Sequence, residues 1–166
     1  MTRPSTELLD FTDRHVFVAG GSSGINLAIA NAFAARGAAV SIASRTPERV
    51  AAAAEQLRRH GGRAGGHSAD VRDYDAIEAA LASAREAFGP IDVLVSGAAG
   101  NFVAPALGMS SKGFRTVVDI DLVGSFNVLR AGHAHLRRPG ASVLNISAPQ
   151  AYNPTAYQAH VCAAKA

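Results

Sequence analysis

Two hydrophobic rhythms take turns along this chain. Short, nearly unbroken apolar runs at 16–19, 39–43, 91–95 and 142–146 read as buried strands, and 63–68 reads as a weaker one. Between them apolar residues recur every three or four positions. That spacing predicts helices over 24–36, 46–60 and 74–88, and one long helix from Ser110 or Ser111 to Leu136. A last helix is expected to begin between Thr155 and Val161. Gly37, Gly61-Gly62, Gly89-Pro90 and Pro139-Gly140 fall where helices should stop. Thr46-Pro47-Glu48 offers a capping residue followed by a first-turn proline. Residues 1–13 carry no structural signal and read as a lead-in arm.

Strands separated by helices imply one α/β domain over 1–166, a doubly wound parallel sheet of Rossmann-like type. Right-handed crossovers give the strand order 3-2-1-4-5. A ligand would then lie over the carboxyl ends of strands one, two and four, where the order reverses. The chain shows no internal repeat, linker or low-complexity stretch.

Composition narrows the function classes. With 48% hydrophobic and 17% charged residues, the 166-residue chain can bury a substantial core. No apolar run approaches the length that crosses a bilayer, and residues 1–13 lack the apolar segment of a secretion signal. A single cysteine, Cys162, excludes an internal disulfide, reads as small buried filler and fits a reducing compartment, so a cytoplasmic location is expected. The sequon Asn145-Ile146-Ser147 falls in an expected buried strand and is not expected to be glycosylated. The net charge of +3 is mild, and the basic residues are scattered among few aromatics, which argues against nucleic acid as a partner. No metal site is expected.

The chemistry gathers in the loops that follow the strands. Gly20-Gly21-Ser22-Ser23-Gly24-Ile25 joins strand one to helix one, a geometry that aims backbone N–H groups at a phosphate. The spacing is Gly-x-x-x-Gly, not the common Gly-x-Gly-x-x-Gly. Ser44-Arg45 follows strand two and faces the adenosine ribose, where arginine favours a 2′-phosphate and hence NADP(H). Asp70-Val71 after strand three meets the adenine edge, or an aspartate here caps the next helix. After strand four, Ser96-Gly97-Ala98-Ala99-Gly100 lets a backbone lie against a flat ligand, with nothing bulky before Asn101-Phe102.

Taken together, these segments resemble the short-chain dehydrogenase/reductase family from about Asp10 onward. Ala19 to Ile25 matches the family's Thr-Gly-x-x-x-Gly-Ile loop, Asp70-Val71 its adenine contact, and Ala98-Ala99-Gly100 its Asn-Asn-Ala-Gly segment. Lys165 falls at the family's active-site lysine, which also contacts the nicotinamide ribose. The resemblance therefore implies cofactor contacts at Gly20, Ser22, Ser23, Gly24, Ile25, Ser44, Arg45, Asp70, Val71, Ala98, Ala99, Gly100 and Lys165. The family's tyrosine and serine positions hold Val161 and Ala148, and its helix asparagine lines up with Asp121.

One branch of the family departs in the same direction. Ala98 to Phe102 and Asp119 to Asn127 look like the 2,4-dienoyl-CoA reductases, particularly the peroxisomal type, which reduce a conjugated C=C bond of an acyl thioester with NADPH. By that resemblance Asp121 and Lys165 are catalytic and hold a proton-delivering water, while Asn101 and Phe102 line the acyl pocket. A 3-oxoacyl thioester reductase and an inactive dinucleotide-binding sensor or assembly protein are the alternatives. Tyr152, Tyr157 and His160 read as surface or packing residues. Family members pair through their long helices, which implies a homodimer or homotetramer. They also continue past the lysine into further strands and a substrate lid, so the resemblance implies an incomplete enzyme, with strand five left as an exposed edge.

Overall fold

A computed structural model describes residues 9–166; the first part of the lead-in arm, residues 1–8, lies outside the described residues. Five strands form one parallel sheet in the order β3-β2-β1-β4-β5, as the crossover rules predict. They are β1 (His15–Ala19), β2 (Ala39–Ser44), β3 (Ala64–Ser68), β4 (Val93–Ser96) and β5 (Ser142–Asn145). The helices are α1 (Gly24–Ala34), α2 (Pro47–Arg58), α3 (Tyr74–Phe88), α4 (Ser111–Val118), α5 (Gly124–Gly132) and α6 (Ala159–Lys165).

Why β1 reads as unbroken apolar sequence is visible in its packing. Val16 and Val18 join Val40, Ile42, Ala30, Ala34 and Leu57 on the α1–α2 face of the sheet. Phe17 and Ala19 point the other way, toward Ile77, Leu81, Leu94 and Val128 on the α3–α5 face. A strand covered on both faces has no polar side to alternate with. The buried His15 is paired on both ring nitrogens, between the Gly89 carbonyl (2.8 Å) and the Ser41 hydroxyl (2.9 Å). Burial pushes the His15 imidazole below its ordinary pKa of 6.5, against the opposing pull of the Gly89 carbonyl.

Five expectations change in detail. Strand four begins at Val93, two residues late, because Ile91 pairs instead with Leu136 in an isolated bridge. The long helix is broken: Asp119–Val123 forms a π-turn between α4 and α5, and α5 ends at Gly132. The turn is closed by the Gly124 amide donating to the Asp119 carbonyl, five residues back. Thr46 occupies the N-cap of α2 without a side-chain cap bond, whereas Asp73 caps α3 by accepting from the Ala76 amide at 3.0 Å. Strand β5 pairs only with β4 and is exposed along its whole length, Asn145 included, so the sequon does not lie in a buried strand. Cys162 is half-buried, not a fully buried filler.

Candidate active site

A cavity of about 420 Å³ opens over the carboxyl ends of β1, β2 and β4, where the strand order reverses. Gly20, Ser22, Ser23, Ile25, Ser44, Arg45, Asp70, Val71, Ala98, Ala99 and Lys165 all line it. Gly24 and Gly100 do not: Gly24 starts α1 with φ +57°, and Gly100 turns its amide away toward Asp121. Asn26, Thr46, Arg49, Ile146, Ser147 and Ala148 complete the wall.

The cradle suits a dinucleotide on steric grounds. Gly20 adopts φ +80°, and a Cβ there would meet the Ala98 backbone at 2.8 Å. Any larger residue would close the gap between the first loop and the small-residue strip after β4. On the opposite rim Arg45 and Arg49, both exposed, have no carboxylate partner among the described residues and stand ready for an anion. Asp70 is held differently. Its carboxylate is gripped by the Arg72 side chain and amide, which hold it below the usual carboxylate range against the raising effect of burial. The helix cap that the sequence offers to a nearby aspartate is made by Asp73. The buried Asn127 amide fixes the same loop by donating to the Val71 carbonyl at 2.9 Å.

Lys165 lines the other end of the cavity, with Asp121 buried behind it. Lys165 and Asp121 form an ion pair at 3.3 Å, with side chains 10% and 1% exposed. The π-turn brings Ile120 and Asp121 inward, so that the Asp121 Oδ1 also accepts from the Gly100 amide at 2.7 Å. The Lys165 ammonium donates to the Ile146 carbonyl at the end of β5, 3.3 Å away. A carboxylate and an ammonium this deeply withdrawn are costly unless each satisfies the other. A mid-helix carboxylate is more often found in such a place because it is used.

At the two positions where the family carries its serine and tyrosine hydroxyls, this chain has none, although Ser147 lines the cavity beside Ala148. Ala148 lines the cavity, and Val161 is buried against Val117, Val118 and Ala164. Asn101 and Phe102 stand outside the cavity on the loop after β4. That loop is clasped to the segment before α6 by Ala104 N–H donating to the Tyr157 carbonyl (3.0 Å) and Asn101 Nδ2 donating to Gln158 (3.4 Å). Tyr152 and Tyr157 are exposed, whereas His160 is fully buried against the Phe102 ring, with centroids 4.3 Å apart.

Sequence reasoning missed Asn26, Arg49, Asn127 and Ser147. Arg49 was within reach of it, one helical turn after Arg45. Asn26 was not: its Nδ2 donates to the Gly97 carbonyl at 2.6 Å, a contact between residues 71 apart.

Fold and site together define a dinucleotide-binding domain of the oxidoreductase type. The family model for short chain dehydrogenase matches residues 14–166, and the chain belongs to that family. Among its relatives are the peroxisomal 2,4-dienoyl-CoA reductases [(3E)-enoyl-CoA-producing] of Rattus norvegicus and Arabidopsis thaliana. The first is 42% identical over 156 residues, covering 93% of this chain and 53% of the relative. The second is 39% identical over 158 residues, covering 90% and 53%. The chain thus spans about half the length of the curated relatives it matches. A solved alcohol dehydrogenase from the archaeon Thermococcus sibiricus, complexed with 5-hydroxy-NADP, superposes with a TM-score of 0.87 at 25% identity, covering 92% of this chain and 65% of that one.

These relatives correct the expected cytoplasmic location, since their printed names place them in peroxisomes. One cysteine and a polar N-terminal stretch cannot separate two compartments that both lack structural disulfides. Among the described residues no helix is long and apolar enough to cross a membrane.

Proposed function

We propose that the protein is an NADPH-dependent reductase that saturates one C=C bond of a 2,4-dienoyl-CoA thioester to give a 3-enoyl thioester. The observation that carries this reading is the buried Asp121–Lys165 pair standing where Ala148 and Val161 supply no hydroxyl. Reduction of a ketone needs a proton donor at the carbonyl oxygen, and neither residue offers one.

When bound, NADPH supplies a hydride to the far end of the diene. The electron pair then spreads to the thioester oxygen, and the α-carbon takes its proton from water. Asp121 and Lys165 hold that water, the carboxylate as acceptor and the ammonium as donor. Lys165 also anchors the nicotinamide ribose, and Gly100, fixed through its amide to Asp121, keeps the small-residue strip flat beneath the ring. At the far end, the N–H groups of the loop after Gly20 take the pyrophosphate, and Arg45 with Arg49 takes the ribose 2′-phosphate. Asn101 and Phe102 lie on the acyl side. Exposed Phe114, Leu122 and Phe126 along α4–α5 support self-association through that face.

The test is NADPH oxidation by the purified full-length protein with two substrates. Turnover of a 2,4-dienoyl-CoA to the 3-enoyl product is expected. Turnover of 3-oxoacyl-CoA alone would replace this reading with carbonyl reduction. NADPH binding without turnover of either would replace it with an inactive dinucleotide-binding protein.

A further inference from the structure

His160 is the second residue of α6, five positions before Lys165 and next to the Val161 that stands at the family's tyrosine position. It is 0% exposed, and neither ring nitrogen has a partner among the described residues. A neutral imidazole carries one donor and one acceptor. Leaving a polar atom unmet in the interior costs roughly 1–3 kcal/mol. The buried Ser41, Asp92, Asp121 and Asn127 all find partners, and Asn26, His67 and His135 each leave one buried atom unmet, but among the described residues His160 leaves both ring nitrogens unmet, which calls for a reason.

What separates this ring from solvent is partly a single side chain. Phe102 lies on it with centroids 4.3 Å apart and planes tilted by 38°. Phe102 is itself 39% exposed and belongs to the exposed stretch 101–103, on the side assigned above to the acyl chain. The reaction proposed above, on which this inference rests, drives negative charge onto the thioester oxygen. Such an oxyanion needs hydrogen-bond donors held in a dry site. Ala148 and Val161 have none, and the three N–H donors of Lys165 already serve Asp121, the Ile146 carbonyl and, in the proposed reaction, the cofactor ribose and water.

We propose that His160 donates a hydrogen bond to the thioester oxygen, with Phe102 turning outward as the acyl chain seats. No proton is transferred in this contact. The N–H stays on the ring, the hydride's electron pair rests on the oxygen it faces, and the α-carbon is still protonated by water. His160 is then a catalytic residue in the strict sense, and Phe102 is its cover.

The experiment compares His160→Phe with His160→Gln in the full-length protein. The first keeps an aromatic stack against Phe102 and removes both nitrogens; the second keeps a donor and removes the ring. The readouts are kcat and KM for a 2,4-dienoyl-CoA, Kd for NADPH, and Tm. For His160→Phe, kcat should fall at least about tenfold, toward the roughly hundredfold loss that follows removal of one oxyanion donor. NADPH affinity and Tm should stay at wild-type values. His160→Gln should recover part of kcat. Wild-type kcat in His160→Phe would overturn the proposal, and so would equal losses of kcat and Tm in both variants. An inactive wild type would overturn the proposed reaction itself, an outcome distinct from an active wild type with an indifferent His160→Phe.

Discussion

At the β1–β2 end of the cavity the recognising groups are main-chain N–H groups and the bare backbone of Gly20, with the charges of Arg45 and Arg49 added at the rim. At the β4–β5–α6 end the backbone is only a platform, and the groups that the proposed reaction uses are the side chains of Asp121 and Lys165, with His160 beneath Phe102. The first end is specified by the absence of side chains and tolerates little change in shape. The second is specified by a few atoms whose substitution alters the chemistry and leaves the shape alone. One sheet can therefore keep a cofactor cradle intact while Ala148 and Val161 remove the usual hydroxyls from its neighbour.

That contrast can be broken by mutation, most severely at Lys165. Lys165→Ala leaves the Asp121 carboxylate buried without a counter-charge, which should lower stability by about 3–5 kcal/mol. Thermal unfolding and single-turnover reduction would show it, with chemistry slowed by about a hundredfold or more. Retained stability and rate would mean that the pair is incidental.

Arg45→Asp acts at the other end and should leave the rate of bound enzyme alone. Loss of charge-assisted hydrogen bonds, each worth about 1.5–3 kcal/mol, should weaken NADPH by about tenfold or more, as read by fluorescence titration. NADH should be barely affected; equal losses would remove the 2′-phosphate from the account.

Gly97→Ala sharpens the claim that shape governs the platform. A Cβ there would run into the Asn26 carboxamide, whose Nδ2 is bonded to the Gly97 carbonyl. Denaturant unfolding should show a loss of about 1–3 kcal/mol. Asn26→Gly in the same background should return most of it, because the two residues share one volume.

The smallest effect is acid sensitivity away from the site. Burial, opposed by the Gly89 carbonyl and the Asp92 charge, depresses the folded-state pKa of His15. The unfolded chain therefore binds the proton first, and stability falls as pH drops below about 6.5 toward the lower folded-state value. Above about 6.5 the contribution is fully present. His15→Gln should flatten this part of the unfolding profile; an unchanged profile would place the titration elsewhere.

Much of the cofactor end was legible in the sequence because it is local. The Gly20–Gly24 loop, Ser44-Arg45 and Asp70-Val71 each follow a strand directly, and the sheet order then brings them together. The reaction end depends on contacts between residues far apart in the chain. Asp121 could be aligned, but its bond to the Gly100 amide and the π-turn that aims it could not be read from apolar periodicity, which predicts an unbroken helix to Leu136. His160 looked like a surface or packing residue for the same reason. It is buried and stacks on Phe102, 58 residues earlier, and no pattern in the chain couples the two.

Asp121→Asn bears most directly on the separation between a cofactor end and a reaction end. The substitution keeps an acceptor for the Gly100 amide and removes only the charge facing Lys165. Measured on the same preparation, kcat for a 2,4-dienoyl-CoA should fall at least about tenfold while the NADPH Kd stays within about twofold. A parallel loss in both, or an unchanged kcat, would contradict the account.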